Sequence, residues 1–112
     1  MDDLPVILRT QEFFPAISKI ATKLPNPEKQ TLGRRVEDKT LELLEILVMA
    51  KNAPRAMKTA YLIKASAVNE ILNFYLRILL DQKLANETTL HQLIAKNTEI
   101  ARMIGGWRKS VQ

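Results

Sequence analysis

The sequence predicts an all-α fold: an antiparallel up-down-up-down four-helix bundle occupying a single domain, residues 1–112. Three observations predict it. Apolar residues recur at three-, four- and seven-residue spacing along most of the chain, which is the period of one helix face. Breaks containing Pro or Asn interrupt that period with only short connections between segments. No stretch alternates apolar and polar residues between turn signals, so nothing reads as a strand.

The first helix opens at Leu4-Pro5 and carries Val6, Phe13, Ile17, Ile20 and Leu24 on one face, ending at about Leu24. Pro15 lies inside it with no N–H to donate, so a kink is expected, with the first third set off as a separate turn or arm. Leu24-Pro25-Asn26-Pro27-Glu28 is a stop followed by a start. Pro25 disfavours helix at Leu24, Asn26 can cap, Pro27 fits a first turn, and Glu28 suits the positive helix end. The second helix has a core stripe of Leu32, Val36, Leu43, Leu47 and Ala50, with Asp38, Glu42 and Glu45 on a solvated face, and breaks at Asn52-Ala53-Pro54.

The third helix, about Arg55 to Lys83, sets Met57, Tyr61, Val68, Ile71, Leu72, Tyr75, Ile78 and Leu79 toward the core. Asn86 caps the fourth, whose stripe is Leu90, Leu93, Ile94, Ile100, Ala101 and Ile104; Gly105-Gly106 is expected to end it. Asn97 falls on the inward side of this stripe, where a buried Asn sets register or oligomer state.

Composition narrows the function. The chain has no Cys, which excludes disulfides, thiolate metal sites, iron–sulfur clusters and cysteine nucleophiles. Its longest run without a charged residue, Thr88 to Ala95, is far short of the about 18 residues a membrane span needs. The start, Met1-Asp2-Asp3, is acidic where a secretory leader would be basic. The expectation is a cytoplasmic protein with no membrane partner. A net charge of +5 favours an anionic partner, either nucleic acid or an acidic protein face.

Two helices carry more apolar surface than one small bundle uses. Leu62, Leu76 and Leu80 form a second row beside the core stripe of the third helix, with Ile63 and Phe74 on its other flank. Only Ser66, Glu70, Asn73 and Arg77 remain as a narrow polar strip. The second helix has a matching off-core row, Leu41, Leu44 and Val48. These six leucines and valines are the expected subunit interface of a homo-oligomer.

Enzyme chemistry lacks its parts. His91 stands alone, so triads and histidine metal sites have no second member, and Glu42 and Glu45 have no histidine to complete a di-iron motif. Gly33, Gly105 and Gly106 cannot build a nucleotide-binding loop. No catalytic residue, metal or cofactor is expected. The candidate binding residues are basic: Arg34, Arg35 and Lys39 at the start of the second helix, and Lys51, Arg55 and Lys58 around the next turn. Aromatic residues are few, and Tyr61, Tyr75 and Phe13 fall on core faces, which leaves backbone-directed nucleic-acid contact rather than base readout.

Four blocks together resemble the Avd family, the accessory variability determinant of diversity-generating retroelements. They are Leu24-Pro25, Thr31-Leu32-Gly33-Arg34-Arg35-Val36, Leu76-Arg77-Ile78-Leu79, and the run from Glu99 to Ser110 containing Met103-Ile104-Gly105-Gly106-Trp107-Arg108-Lys109-Ser110. The last block is the most specific, and the set spans nearly the whole chain. Pro15 and the Pro25/Pro27 pair depart from the family pattern. The four-helix-bundle proteins encoded in intervening sequences of bacterial large-subunit ribosomal RNA share this fold and length.

The resemblance implies a basic, barrel-shaped homopentamer without activity of its own that binds a reverse transcriptase and its template RNA during mutagenic copying. Arg34, Arg35 and Arg77 match the family's basic contact positions, and Arg77 is suited to bidentate contact with carboxylate or phosphate. The alternatives are an intervening-sequence-type bundle that binds RNA without a polymerase partner, and a purely structural interaction bundle. A flanking reverse-transcriptase gene separates the first reading from the second.

Overall fold

The computed structural model describes residues 4–112; Met1-Asp2-Asp3 lies outside the described residues. Four helical rods run antiparallel in a body of 44 × 22 × 19 Å. Helix α1 is Leu4–Ala21. Helix α2 is continuous over three segments, Asn26–Glu28, a π-helical turn Lys29–Gly33 and Arg34–Asn52. Helix α3 is Arg55–Asp81 and α4 is Glu87–Val111. No strand occurs among the described residues. No helix there is long and apolar enough to cross a membrane.

Each connection is closed by local chemistry. At the α3–α4 turn, Lys83 takes a left-handed conformation (φ 56°), with its N–H bonded to Leu80 O at 3.1 Å and Leu84 N–H reaching back to Leu79 O at 3.0 Å. This is a Schellman closure, and it puts a lysine where glycine is usual. Asn86 then caps α4 as expected, its Oδ1 accepting from Thr89 N–H at 2.9 Å. Asn26 does not cap α2; it lies inside the first turn, which is preceded by Pro25.

Helix α1 passes Pro15 without a break. Pro15 and Gln11 both face solvent, so the carbonyl left without its helical donor is open to water. The π turn was not foreseen either. Gly33 sits within it against the end of α1, where a Cβ would come 3.2 Å from Ala21 O, so a side chain there would push the two helices apart by a few tenths of an ångström. Gly105 and Gly106 do not end α4. The helix continues through both to Val111, and Trp107 is buried from within it.

The core contains Phe13, Ile17, Val36, Leu43, Leu47, Leu72, Leu79, Leu90, Leu93 and Ile100, with Trp107 closing one end. Burying each large aliphatic contributes about 1.5–3 kcal/mol before ordering costs. Polar residues inside are satisfied locally. The Thr10 and Thr40 hydroxyls donate to Val6 O (2.8 Å) and Val36 O (2.7 Å), one helical turn back. Asn97 is buried as its position predicts, and it faces a second buried asparagine, Asn69 of α3.

Helix α3 is rotated about its axis relative to the expected stripe. Leu62 and Leu76 are both 0% exposed and belong to the core, whereas Met57, Ile71 and Ile78, expected inside, are exposed. Helices α2 and α3 pack along their length, as do α3 and α4, while α1 meets α4 over a shorter seam.

Candidate partner-binding surfaces

Rotation of α3 creates the most apolar outer surface of the bundle. Ile63, Ala67, Ile71, Phe74 and Ile78 recur at three- or four-residue spacing on its solvent side. Phe74 is 59% exposed and Ile63 46%. Glu70 and Arg77, seven residues apart, both exposed, run along one border. An apolar strip with a charged rim has the anatomy of an interaction surface.

The interface expected from sequence is therefore corrected. Leu62 and Leu76 cannot contact a partner because the chain's own core covers them completely. Leu44 and Leu80 are half-buried and pack against that core. Leu41 and Val48 do reach solvent on α2, beside the exposed Met49. The error has a simple origin. With α3 apolar nearly all round, periodicity identifies the stripes but not the one that faces inward.

The basic candidates separate into two settings at opposite ends of the bundle. Arg34 and Arg35 are exposed where the π turn hands over to regular helix, and Arg77 is exposed on α3. Lys39 is engaged by Glu42 at 3.0 Å. Carboxylates are interspersed here: Glu28, Glu37 and Asp38 share the first turns of α2, and Ser18 Oγ donates to Glu37 at 2.8 Å.

At the other end, Lys58 is not free for a partner. Its Nζ donates to Ala50 O (2.9 Å) and Lys51 O (2.8 Å) and so caps the end of α2. Arg55 makes a long contact, 3.5 Å, to Ser110 O in the last turn of α4. That contact joins Arg55 to the end of α4 that carries Arg108 and Lys109, at the same end of the bundle as Lys51. The signal for those two was present in the sequence as two runs without any carboxylate, residues 46–69 and 100–112. Only the topology joins them.

Two clefts occur among the described residues. One of about 440 Å³ lies in the α1–α4 seam between Arg9, Glu12, Lys96 and Glu99, over a floor that includes Phe13 and Ile100. A shallower one of about 310 Å³ lies near Gly106 and Trp107. Among the described residues no three His, Asp or Glu side chains gather in a way that could hold a metal ion. His91 is exposed, 3.7 Å from Glu87.

Comparison with known proteins agrees in extent with the fold. A family model described as bAvd-like matches residues 6–111, all four helices. Comparisons with curated proteins and with solved structures gave no match.

Proposed function

The chain belongs to the bAvd-like family, and on that premise we propose that it is a non-enzymatic accessory subunit of a diversity-generating retroelement. It acts in the cytoplasm as a homopentameric barrel that binds the reverse transcriptase and template RNA, and it needs no cofactor. The observation that carries the reading is the extent of the family match, which takes in every helix.

The outer surface of α3 supports the assembly. A strip of Ile63, Ile71, Phe74 and Ile78 is costly to leave in water, and self-association removes it. Leu41 and Val48 extend the apolar area on the neighbouring helix. Arg34, Arg35 and Arg77 are side chains able to meet an acidic face of the polymerase, because guanidinium groups bind carboxylates in a two-pronged geometry.

The experiment is light scattering after size exclusion in high salt, followed by a search for a flanking reverse-transcriptase gene and co-expression with its product. Five 12.8 kDa copies give a particle of about 64 kDa. A monomer mass would overturn the barrel. A polymerase that never co-purifies with the tagged chain would overturn the accessory role.

A further inference from the structure

Lys51, Arg55 and Lys58, around the α2–α3 turn, and Arg108 and Lys109, about 50 residues later in the last turns of α4, lie at the same end of the bundle. Among the described residues this end contains no carboxylate: α2 has none after Glu45, α3 none before Glu70, and α4 none after Glu99. The rest of the described chain sets nearly as many carboxylates as cations, so the excess positive charge of the described residues is concentrated here. Two of these cations are also available: among the described residues, Lys51 and Lys109 are exposed and make no side-chain hydrogen bond.

We infer that this end of the bundle is a docking surface for the phosphodiester backbone of single-stranded RNA, with Lys51, Arg55 and Lys109 as the phosphate contacts. The inference rests on the RNA-binding reading above and gives it a location, apart from the α3 strip and from Arg34 and Arg35. The chemistry favours backbone over base. Long flexible cations surround the site, while Trp107 is buried and Tyr61 half-buried, so no exposed ring stands among them to stack on a base. Recognition of this kind is sequence-independent and strongly salt-dependent.

The test is fluorescence anisotropy of the full chain with a labelled single-stranded RNA of mixed sequence, titrated at several salt concentrations. K51Q/R55Q/K109Q should weaken binding by about 10-fold or more at low salt. It should also lower the slope of log affinity against log salt by about 2, the share of three single-strand phosphate contacts. K19Q/K23Q/K83Q removes equal charge at the opposite end and should change affinity by less than about 2-fold.

Should the triple variant melt early, K51Q/K109Q replaces it, since neither side chain makes a hydrogen bond. Equal losses in the two triple variants would overturn the inference by making net charge the determinant. Wild-type affinity in K51Q/R55Q/K109Q would overturn the location and leave RNA binding standing. Absence of RNA binding by the wild type at low salt would overturn both. Displacement of the RNA by poly-glutamate at equal charge concentration would also overturn it, assigning the surface to an acidic protein.

Discussion

Asn69 and Asn97 hold each other across the α3–α4 interface in a reciprocal clasp. Asn69 Nδ2 donates to Asn97 Oδ1 at 2.9 Å and to the Asn97 carbonyl at 3.2 Å, while Asn97 Nδ2 donates to the Asn69 carbonyl at 3.1 Å. Both side chains are buried, so each amide depends on the other for partners that water cannot supply. Sliding one helix along the other would break all three bonds, which makes the pair a register lock.

Asn97→Ala should lose about 2 kcal/mol of unfolding free energy, because Asn69 keeps its burial and loses its side-chain partner. In a urea-denaturation cycle with Asn69→Ala, the coupling should be about 1 kcal/mol. Strict additivity would mean that the two amides do not act as a unit.

Lys83→Gly should stabilise the protein by roughly 0.5–1 kcal/mol, since it removes a side chain from a left-handed backbone position. Thermal unfolding at fixed protein concentration checks this. A lower midpoint would show that the lysine side chain contributes more than its backbone strain costs.

Leu62→Ala and Phe74→Glu separate core from interface. Leu62→Ala should cost about 3 kcal/mol of stability by opening a cavity in the subunit. Phe74→Glu should keep the helical circular-dichroism spectrum of each subunit and yield a smaller particle by light scattering. An unchanged particle mass would remove Phe74 from any subunit contact.

Lys58→Met should lower stability by about 1 kcal/mol, because two carbonyls at the end of α2 lose their donor. Lys51→Met, where no side-chain bond exists, should leave the denaturation midpoint unchanged within error. Equal shifts in both variants would make the effect one of charge rather than of capping.

Much of the fold was legible because its determinants are local. Pro25 with Pro27, Asn52-Ala53-Pro54 and Asn86 mark boundaries through their own backbone chemistry, and the structure places breaks or caps at each. What sequence could not reveal depends on neighbours. Leu62 and Ile71 are equally apolar, and which one faces inward is decided by the helices packed on α3. Gly105-Gly106 has the composition of a helix stop, but the burial of Trp107 beyond it holds the helix in place. The binding surfaces divide the same way. Lys58 is an ordinary surface lysine until α2 and α3 meet, and Arg108 comes to the same end of the bundle as Lys51 only through the antiparallel topology.

The passage of α4 through Gly105 and Gly106 has a consequence for motion. Each interior glycine disfavours helix by about 1 kcal/mol relative to alanine, and a Cβ at either position would meet open space, so neither glycine is needed for packing within the subunit. The turn beyond them is therefore held by the burial of Trp107 and not by the helix propensity of the residues before it. Its backbone amides, residues 107–111, should exchange with solvent faster than those of the clasped centre of α4 around Asn97, which hydrogen-exchange mass spectrometry checks. Arg108 and Lys109 ride on that turn, so opening there would move two cations and leave the clasped centre of α4 in place.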